Sequence, residues 1–414
     1  MLNNNYICAL DIGASKIAGT LVRLKRNRPE SIYFDSIPYS GIKRGMIVDP
    51  VALLDALDNL LKNLKNKSGV RIKFVYVSIP GQNIIAKHSQ AVIPLVEKGN
   101  KLITLSDIQK VHAQARILGS CLEEEIIHQI PLGYIIDSGS NIKNPVGLYS
   151  HRLGVDLYLI CAKSSFVQNL MRIINQSGYH IKDLFYSGIA TSQVVFNSEN
   201  KNGFNVICDI GGDSTEVLLF EDGNLREIKI LPFGGEDLTN ALSLGLGIPF
   251  ELAEEVKRSY GNLLEHNLNE EKEILIKKRS LYKPIKQKVI SQIISVKVKL
   301  FCDSLKDLLK DMPNFKEINS IIAVGRTILL EGFLEMLENN LVIPVRLIHI
   351  NAPLIIELIR STDILSGQKY LTYITCLGIV SEVIQGKTTT FPLSAKNIFF
   401  RAISKIKEIY QEYF

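Results

Sequence analysis

The feature that most constrains this chain is a turn that it carries twice. Val206–Glu216 reads VICDIGGDSTE: an apolar run stops at Asp209, turns on Gly211 and Gly212, and presents the hydroxyls of Ser214 and Thr215. Cys8–Ser15 reads CALDIGAS, again an apolar run, then Asp11, a glycine and a hydroxyl. A strand that stops at a carboxylate and turns on glycine suits phosphate, because glycine lets backbone N–H groups approach a polyphosphate and hydroxyls add donors. A single turn of this kind is also an ordinary hairpin. Two of them, about half a chain apart, imply two related halves facing one nucleotide.

The surrounding periodicity repeats as well. Tyr6–Leu10, Ile17–Leu24 and Ile32–Ser36 alternate like a meander. Asn205–Asp209, Thr215–Phe220 and Leu225–Leu231 do the same, with Asp222–Gly223 as a hairpin turn. After the first meander, Asp49–Pro50 caps a helix with Val51, Leu54, Leu57, Leu61 and Leu64 as its buried stripe, and the strand Ile72–Ile79 ends at Pro80–Gly81–Gln82. After the second, Pro232–Leu238 leads into a helix that Glu236 or Asp237 caps, and Pro249 opens another that Gly261 ends. A long helix over Lys283–Lys310 follows, then a strand Ile321–Gly325, a helix Leu329–Asn339, a strand Val342–Ile348 and a late helix Tyr370–Ile384. The order βββαβα occurs twice, which predicts two sheets with helices between them.

Residues 84 to about 158 break the repeat. Ser106-x-x-Gln109 reads as a capping box opening a helix to about Leu118, followed by strands over Glu125–Ile130, Tyr134–Asp137 and Val155–Cys161. This is an inserted α+β module. Ser165-x-x-Gln168 then opens a helix that Gly178 closes.

Composition excludes several classes. A length of 414 residues with 46% hydrophobic and 22% charged residues suits two to four compact units. A net charge of +6 is too mild and dispersed for nucleic acid. The six cysteines lack any Cys-x-x-Cys pair and most sit in apolar runs, so they read as small core residues of a reducing compartment and no zinc site is expected. Asp11 interrupts the first apolar run, which argues against a signal peptide, and no run reaches the ~18 apolar residues of a membrane-spanning helix. The expectation is a cytoplasmic protein.

The repeated turns, with IIAVGRT at Ile321–Thr327 as an adenosine-type turn, resemble the actin, heat-shock-70 and sugar-kinase superfamily. Within it, Ile127–Ala162 (IHQIPLGYIIDSGSNIKNPVGLYSHRLGVDLYLICA) is similar to the inserted subdomain of the bacterial cell-division FtsA family. The resemblance extends from Tyr6 to Phe414. It implies an α/β, actin-like (ribonuclease H-like) duplicated core around a nucleotide cleft, with an FtsA-type inserted subdomain. The first large subdomain would comprise 1–83, 159–202 and 366–386, and the insert 84–158. The second large subdomain would comprise 203–237 and 313–365, with 238–312 as its cap and 387–414 as linker and terminal helix.

The resemblance also implies ATP and Mg²⁺ in the cleft. Asp11, Gly13, Ala14, Ser15 and Lys16 would form the first phosphate turn and Gly211, Gly212, Asp213 and Ser214 the second, with Asp11 and Asp209 near the metal. Two carboxylates suit a hard Mg²⁺ that keeps several waters. Gly235, Glu236, Lys257, Gly325 and Arg326 would border the adenosine; Lys257 reads equally as a solvated helix charge. Three positions depart from the family pattern: Asp213 stands where a third glycine is usual, Arg326 replaces the second glycine of the adenosine turn, and Pro80, with only Gln82 nearby, stands where actin-like ATPases place a polar residue to orient the attacking water. A carboxylate near the triphosphate repels it unless the metal or Lys16 compensates. The departures imply a nucleotide-binding adaptor with at most slow ATPase activity.

Two further stretches carry binding readings. In Ala395–Phe414, Phe399, Ala402, Ile403, Ile406, Ile409, Tyr410 and Tyr413 line one helical face. Phe400, Arg401 and Lys405 accompany it. Such a helix usually packs on its own protein; its terminal position, the polar linker from Gly386 and the basic flank also suit an interfacial membrane anchor, which the resemblance favours. Between Lys277 and Lys299 lie eight Lys or Arg and no acid. This is either a solvated face or a dock for an acidic peptide. The family implies that the cap holds the tail of the tubulin-like FtsZ near Lys286 and Lys297. Self-assembly into a head-to-tail polymer, other divisome proteins as partners, and the cytoplasmic face of the membrane at the division site belong to the same expectation. An actin-like scaffold of the pilus-assembly or rod-shape type, or an ATP-hydrolysing chaperone or sugar kinase, are the alternatives on this fold.

Overall fold

A computed structural model describes residues 5–386 apart from 27, 97–98, 138, 140–141, 197–201, 265–272 and 279–280. The terminal helix read over Ala395–Phe414 therefore lies outside the described residues. The chain opens with the antiparallel strands β1 (Tyr6–Ile12), β2 (Lys16–Lys25) and β3 (Arg28–Pro38). A small hairpin, β4 (Ile42–Lys43) and β5 (Met46–Ile47), leads to α1 (Pro50–Ser68) and β6 (Phe74–Ile79). Asp49 caps α1 through the Ala52 N–H, with Pro50 at the first helical position. The buried stripe is Leu53, Leu57, Leu60, Leu61 and Leu64, each worth roughly 2 kcal/mol on burial. Val51 is exposed, contrary to expectation, because it falls two residues before Leu53 and therefore on the opposite side of a 3.6-residue turn.

The insert follows: β7 (Ile84–Pro94), β8 (Lys101–Leu102), α2 (Leu105–Gly119), β9 (Glu124–Ile136), β10 (Tyr149–Ser150) and β11 (Arg152–Lys163). The sheet order is β7-β11-β9, with α2 packed on it over Val111, Ala115, Leu157 and Leu159. Two readings change here. The capping box is Thr104–Asp107 rather than Ser106–Gln109, since the β8 pairing ends at Leu102 and Ile103 is buried. The two strands expected over 125–137 are one. Pro131 and Leu132 form a bulge in β9, and an edge strand tolerates proline.

The chain returns through α3 (Ser164–Gln176), β12 (His180–Tyr186) and α4 (Ser187–Val195). Lys163, not Ser165, is the N-cap of α3. The second half begins with β13 (Phe204–Ile210), β14 (Thr215–Glu221) and β15 (Asn224–Leu231). Then come α5 (Gly235–Leu246), α6 (Phe250–Tyr260) and the hairpin β16 (Glu273–Lys278) and β17 (Leu281–Lys286). The remaining elements are α7 (Gln287–Lys310), β18 (Ile318–Val324), α8 (Phe333–Leu341), β19 (Val345–Leu347), α9 (Pro353–Ile359) and α10 (Ile374–Gln385). The long helix starts four residues later than read, because Pro284 holds its neighbourhood extended in β17. Likewise α8 begins after Gly332, whose φ of +82° stops a helix from running through it.

The duplication is written in the sheets. Their orders are β12-β6-β1-β2-β3 and β15-β14-β13-β18-β19, each a meander whose first strand pairs in parallel with a strand returning after helices. Helices α4 and α10 lie between the sheets in one core with Ile7, Ile207, Leu218 and Val324, while α1 and α3 cover the outer face of the first sheet. Helices α5 to α8 cover the second. Strands β1 and β13 thus stand centrally, and their C-terminal ends meet across the gap between the halves.

Candidate functional site

The two glycine turns close in the same way. The Gly13 N–H donates to the Lys16 carbonyl at 3.0 Å, and the Gly211 N–H to the Ser214 carbonyl at 2.9 Å. They also approach each other. A Cβ built on Gly212 would stand 3.2 Å from the Ser15 hydroxyl, so this position accepts only glycine without a shift. The carbonyls of Gly211 and Gly212 take the Gly235 and Glu236 N–H groups at 2.9 and 2.7 Å, which docks the start of α5 on the second turn. Asp237 accepts the Gly234 N–H at 2.8 Å and closes that cap, so Asp237 and not Glu236 is the capping residue.

Gly325 reaches the same place from β18. Its φ is +98° and a Cβ there would lie 2.2 Å from the Ile210 carbonyl oxygen and 3.3 Å from Asp209 Oδ1. Arg326 next to it is exposed, and burial of its guanidinium end together with nearby Arg258 lowers its pKa. Lys257 is buried, with its Nζ donating to the Gly235 carbonyl (2.8 Å) and the Thr239 hydroxyl (2.7 Å) and paired with Glu254 (2.6 Å). It ties α6 to the start of α5 and is not a solvated helix charge.

Acid and base face each other at the strand ends. Asp11 accepts the Ser78 hydroxyl at 2.7 Å from β6. Lys16 donates to the Thr372 carbonyl at 3.1 Å; burial and then Arg326 pull its pKa down to about 8, against Asp11 and Asp209. Burial raises Asp11, and burial with Glu216 and Asp11 raises Asp209 to about 7. Asp213 does not project freely: its Oδ2 takes the Arg44 N–H at 2.6 Å from the tip of the β4–β5 hairpin, across the gap.

Three functional positions escaped the sequence reading. Glu216, buried opposite Asp209 in the β13–β14 register, accepts the Gly81 N–H at 2.7 Å and the Ser187 hydroxyl at 3.0 Å. It therefore joins the second half to both β6 and α4 of the first. The available signal was a carboxylate opening the otherwise apolar run of β14. Ser187 carried none, and Gly81 was marked only as part of the strand end Pro80–Gly81–Gln82. Lys286 and Lys297 lie elsewhere, exposed at the end of β17 and on α7.

The residues present fit a nucleoside polyphosphate: two glycine turns in contact, a lysine at the end of the first and two half-buried carboxylates. Among the described residues no three His, Cys, Asp or Glu side chains converge on a metal position.

Comparison with known proteins agrees with this architecture. The PilM–PilN type IV pilus biogenesis complex superposes with a TM-score of 0.62 at 16% identity, covering 90% of this chain and 96% of that one. MreB5 of Spiroplasma citri bound to ADP gives 0.52 at 12% identity, covering 92% and 99%. The fold is thus that of the actin-like ATPases. A family model described as Cell division protein FtsA matches residues 206–374, and one described as SHS2 domain inserted in FTSA matches residues 81–161. The cell division protein FtsA of Buchnera aphidicola is 28% identical over 67% of this chain and 65% of its own length. That of Bacillus subtilis is 25% identical over 82% and 78%, and that of Borreliella burgdorferi 24% over 84% and 85%. This chain belongs to the FtsA family of cell division proteins. No described helix is long and apolar enough to cross a membrane.

Proposed function

We propose that the chain is a cell-division adaptor. It holds ATP with Mg²⁺ in the cleft, assembles head to tail with copies of itself, and tethers FtsZ polymers to the inner face of the cytoplasmic membrane at the division site. The observation that carries this reading is the α+β insert between β6 and α3, the segment matched by a model specific to FtsA proteins. The division of labour follows the subdomains read from the sequence: 84–158 for later division proteins, 238–312 for the FtsZ tail, 387–414 for the membrane.

In the cleft, the turns at Gly13–Lys16 and Gly211–Ser214 offer backbone N–H groups and the Ser15 and Ser214 hydroxyls to the phosphates. Gly235, Glu236, Lys257, Gly325 and Arg326 border the adenosine, Lys257 by holding α5 and α6 together. Bound Mg²⁺ would neutralise phosphate charge. On the cap, Lys286, Lys297 and Lys299 are exposed, which suits an acidic peptide. At the terminus, Phe399, Phe400, Ile403, Ile406, Ile409, Tyr410 and Tyr413 would enter the lipid interface, with Arg401 and Lys405 at the headgroups. A single such helix binds reversibly, and polymerisation adds avidity.

Co-sedimentation with anionic liposomes and FtsZ tests the whole. Full-length protein should carry FtsZ into the liposome pellet. Deletion of 387–414 should leave both in the supernatant, and Lys286→Glu with Lys297→Glu should release FtsZ alone. Liposome binding that survives the deletion refutes the anchor.

A further inference from the structure

Asp213 sits where it is in contact with both sides of the cleft. One carboxylate oxygen takes the Arg44 N–H at 2.6 Å, and the other stands 3.4 Å from the Ser214 hydroxyl. Arg44 (φ +46°) and Gly45 (φ +73°) form the tip of the β4–β5 hairpin. That tip is further secured by Asn83, whose side chain donates to the Gly45 carbonyl at 2.8 Å. Gln82 reaches the Asp213 carbonyl at 3.5 Å. The hairpin of the first half is therefore strapped over the second phosphate turn, with Asp213 as its fastening.

The two donors that Asp213 engages, a backbone N–H across the gap and a hydroxyl on the turn itself, are of the kind that bind phosphate oxygens. The carboxylate is thus a resident anion in an anion position. Its surroundings already carry negative charge, since Glu236 lies close enough for Asp213 to raise the pKa of its carboxyl, with Lys43 and Lys257 as partial counterweights. Each further phosphate brought here adds negative charge beside two carboxylates.

We propose that Asp213 biases the cleft toward a nucleoside diphosphate over the triphosphate, because the terminal phosphate of a triphosphate has to displace this carboxylate from Arg44 and Ser214 while a diphosphate does not. The inference rests on the nucleotide reading given above. A diphosphate leaves the hairpin strapped, and a triphosphate releases it. The nucleotide state is thereby converted into the position of residues 42–47.

The test uses full-length protein titrated with fluorescent ADP and with fluorescent AMPPNP in the presence of Mg²⁺. Wild type should hold ADP at least about ten-fold tighter than AMPPNP. Asp213→Asn keeps the shape and an acceptor for Arg44 but removes the charge; Asp213→Gly removes both. Each should bring the two affinities to near parity, mainly by tightening AMPPNP. In hydrogen exchange, AMPPNP but not ADP should speed exchange of the Arg44 amide in wild type. Equal affinities in wild type, or a ratio unchanged in both variants, overturns the inference while leaving the nucleotide site standing. Failure of folded wild type to bind either nucleotide overturns both readings.

Discussion

Asp11, Asp209 and Glu216 lie together at the strand ends, where burial and then Glu216 and Asp11 make ionisation of Asp209 harder, and burial and then Asp11 that of Glu216. Asp209, raised by burial and then by Glu216, keeps its proton in the folded chain up to about pH 7. In the unfolded chain an Asp ionises near ~3.9. Between those values the folded state binds more protons than the unfolded one, so stability falls as pH rises through this window. The effect of Asp209 alone is at most about 4 kcal/mol. Thermal unfolding of nucleotide- and metal-free protein from pH 5 to 7.5 should show the melting temperature falling with rising pH. Asp209→Asn should flatten that slope, and an unchanged slope would locate the titration elsewhere. Asp209 was legible because it ends an apolar run before two glycines. Glu216 was not, since its role depends on Gly81 and Ser187, which lie far away in the chain and meet it only when the halves close.

Among the elements, those with local causes were read well and those with distant causes were misplaced. Helix α1 follows from Asp49–Pro50 and its leucine period. Strand β9 was divided in two because Pro131 and Gly133 look like a break; pairing with β11 absorbs them in a bulge. In α2 the correct cap, Thr104–Asp107, is also bridged to Lys101 at 2.8 Å, and the Lys101 ammonium and the Thr104 donors hold Asp107 down at about 2. Its contribution is therefore present above the ordinary carboxylate range and is lost as pH falls from about 4 towards 2. Asp107→Ala leaves the Thr104 N–H without its acceptor and removes the side-chain arm of the capping box, a cost of about 1–3 kcal/mol. Hydrogen exchange should report faster opening across α2 and β7, with β1 and β13 unaffected. Equal loss of protection in all four would mean that the insert and the core unfold as one unit.

At the scale of the whole molecule, the insert is tied to both halves. His128 in β9 accepts the Tyr186 N–H at 2.9 Å at the start of α4, and its burial pushes its pKa down to about 3, so it stays neutral. Tyr158 in β11 accepts the Ile228 N–H of β15 at 3.2 Å. In addition to these contacts, Gly81 lies close against the second half. A Cβ there would stand 2.5 Å from Ile230 Cδ1 and 2.8 Å from the Glu216 carboxyl carbon. The isoleucine tip can turn away, but Glu216 is pinned by its own hydrogen bonds, so Gly81→Ala should wedge the halves apart. Small-angle scattering should then show a larger radius of gyration, and fluorescent ADP should bind at least about ten-fold more weakly. A variant with unchanged radius and affinity would show that the halves accommodate a methyl group here.

The paired turns of Val206–Glu216 and Cys8–Ser15, the two meanders, the inserted module and the basic stretch before Lys299 were all determined by the sequence alone. The physical reason is that strand alternation, glycine turns and helix periods are local, so their signals lie within about ten residues. Tertiary structure alone decided that Lys257 is buried under α5, that Glu216 joins the halves, and that Asp213 fastens the Arg44 hairpin. Each depends on a partner from another element: for Lys257 the approach is set by packing of α5 and α6 on the second sheet, and for Glu216 and Asp213 by the closing of the two halves. A carboxylate that looked like an obstacle to phosphate in the sequence is, in the folded chain, a hydrogen-bonded closure of the cleft.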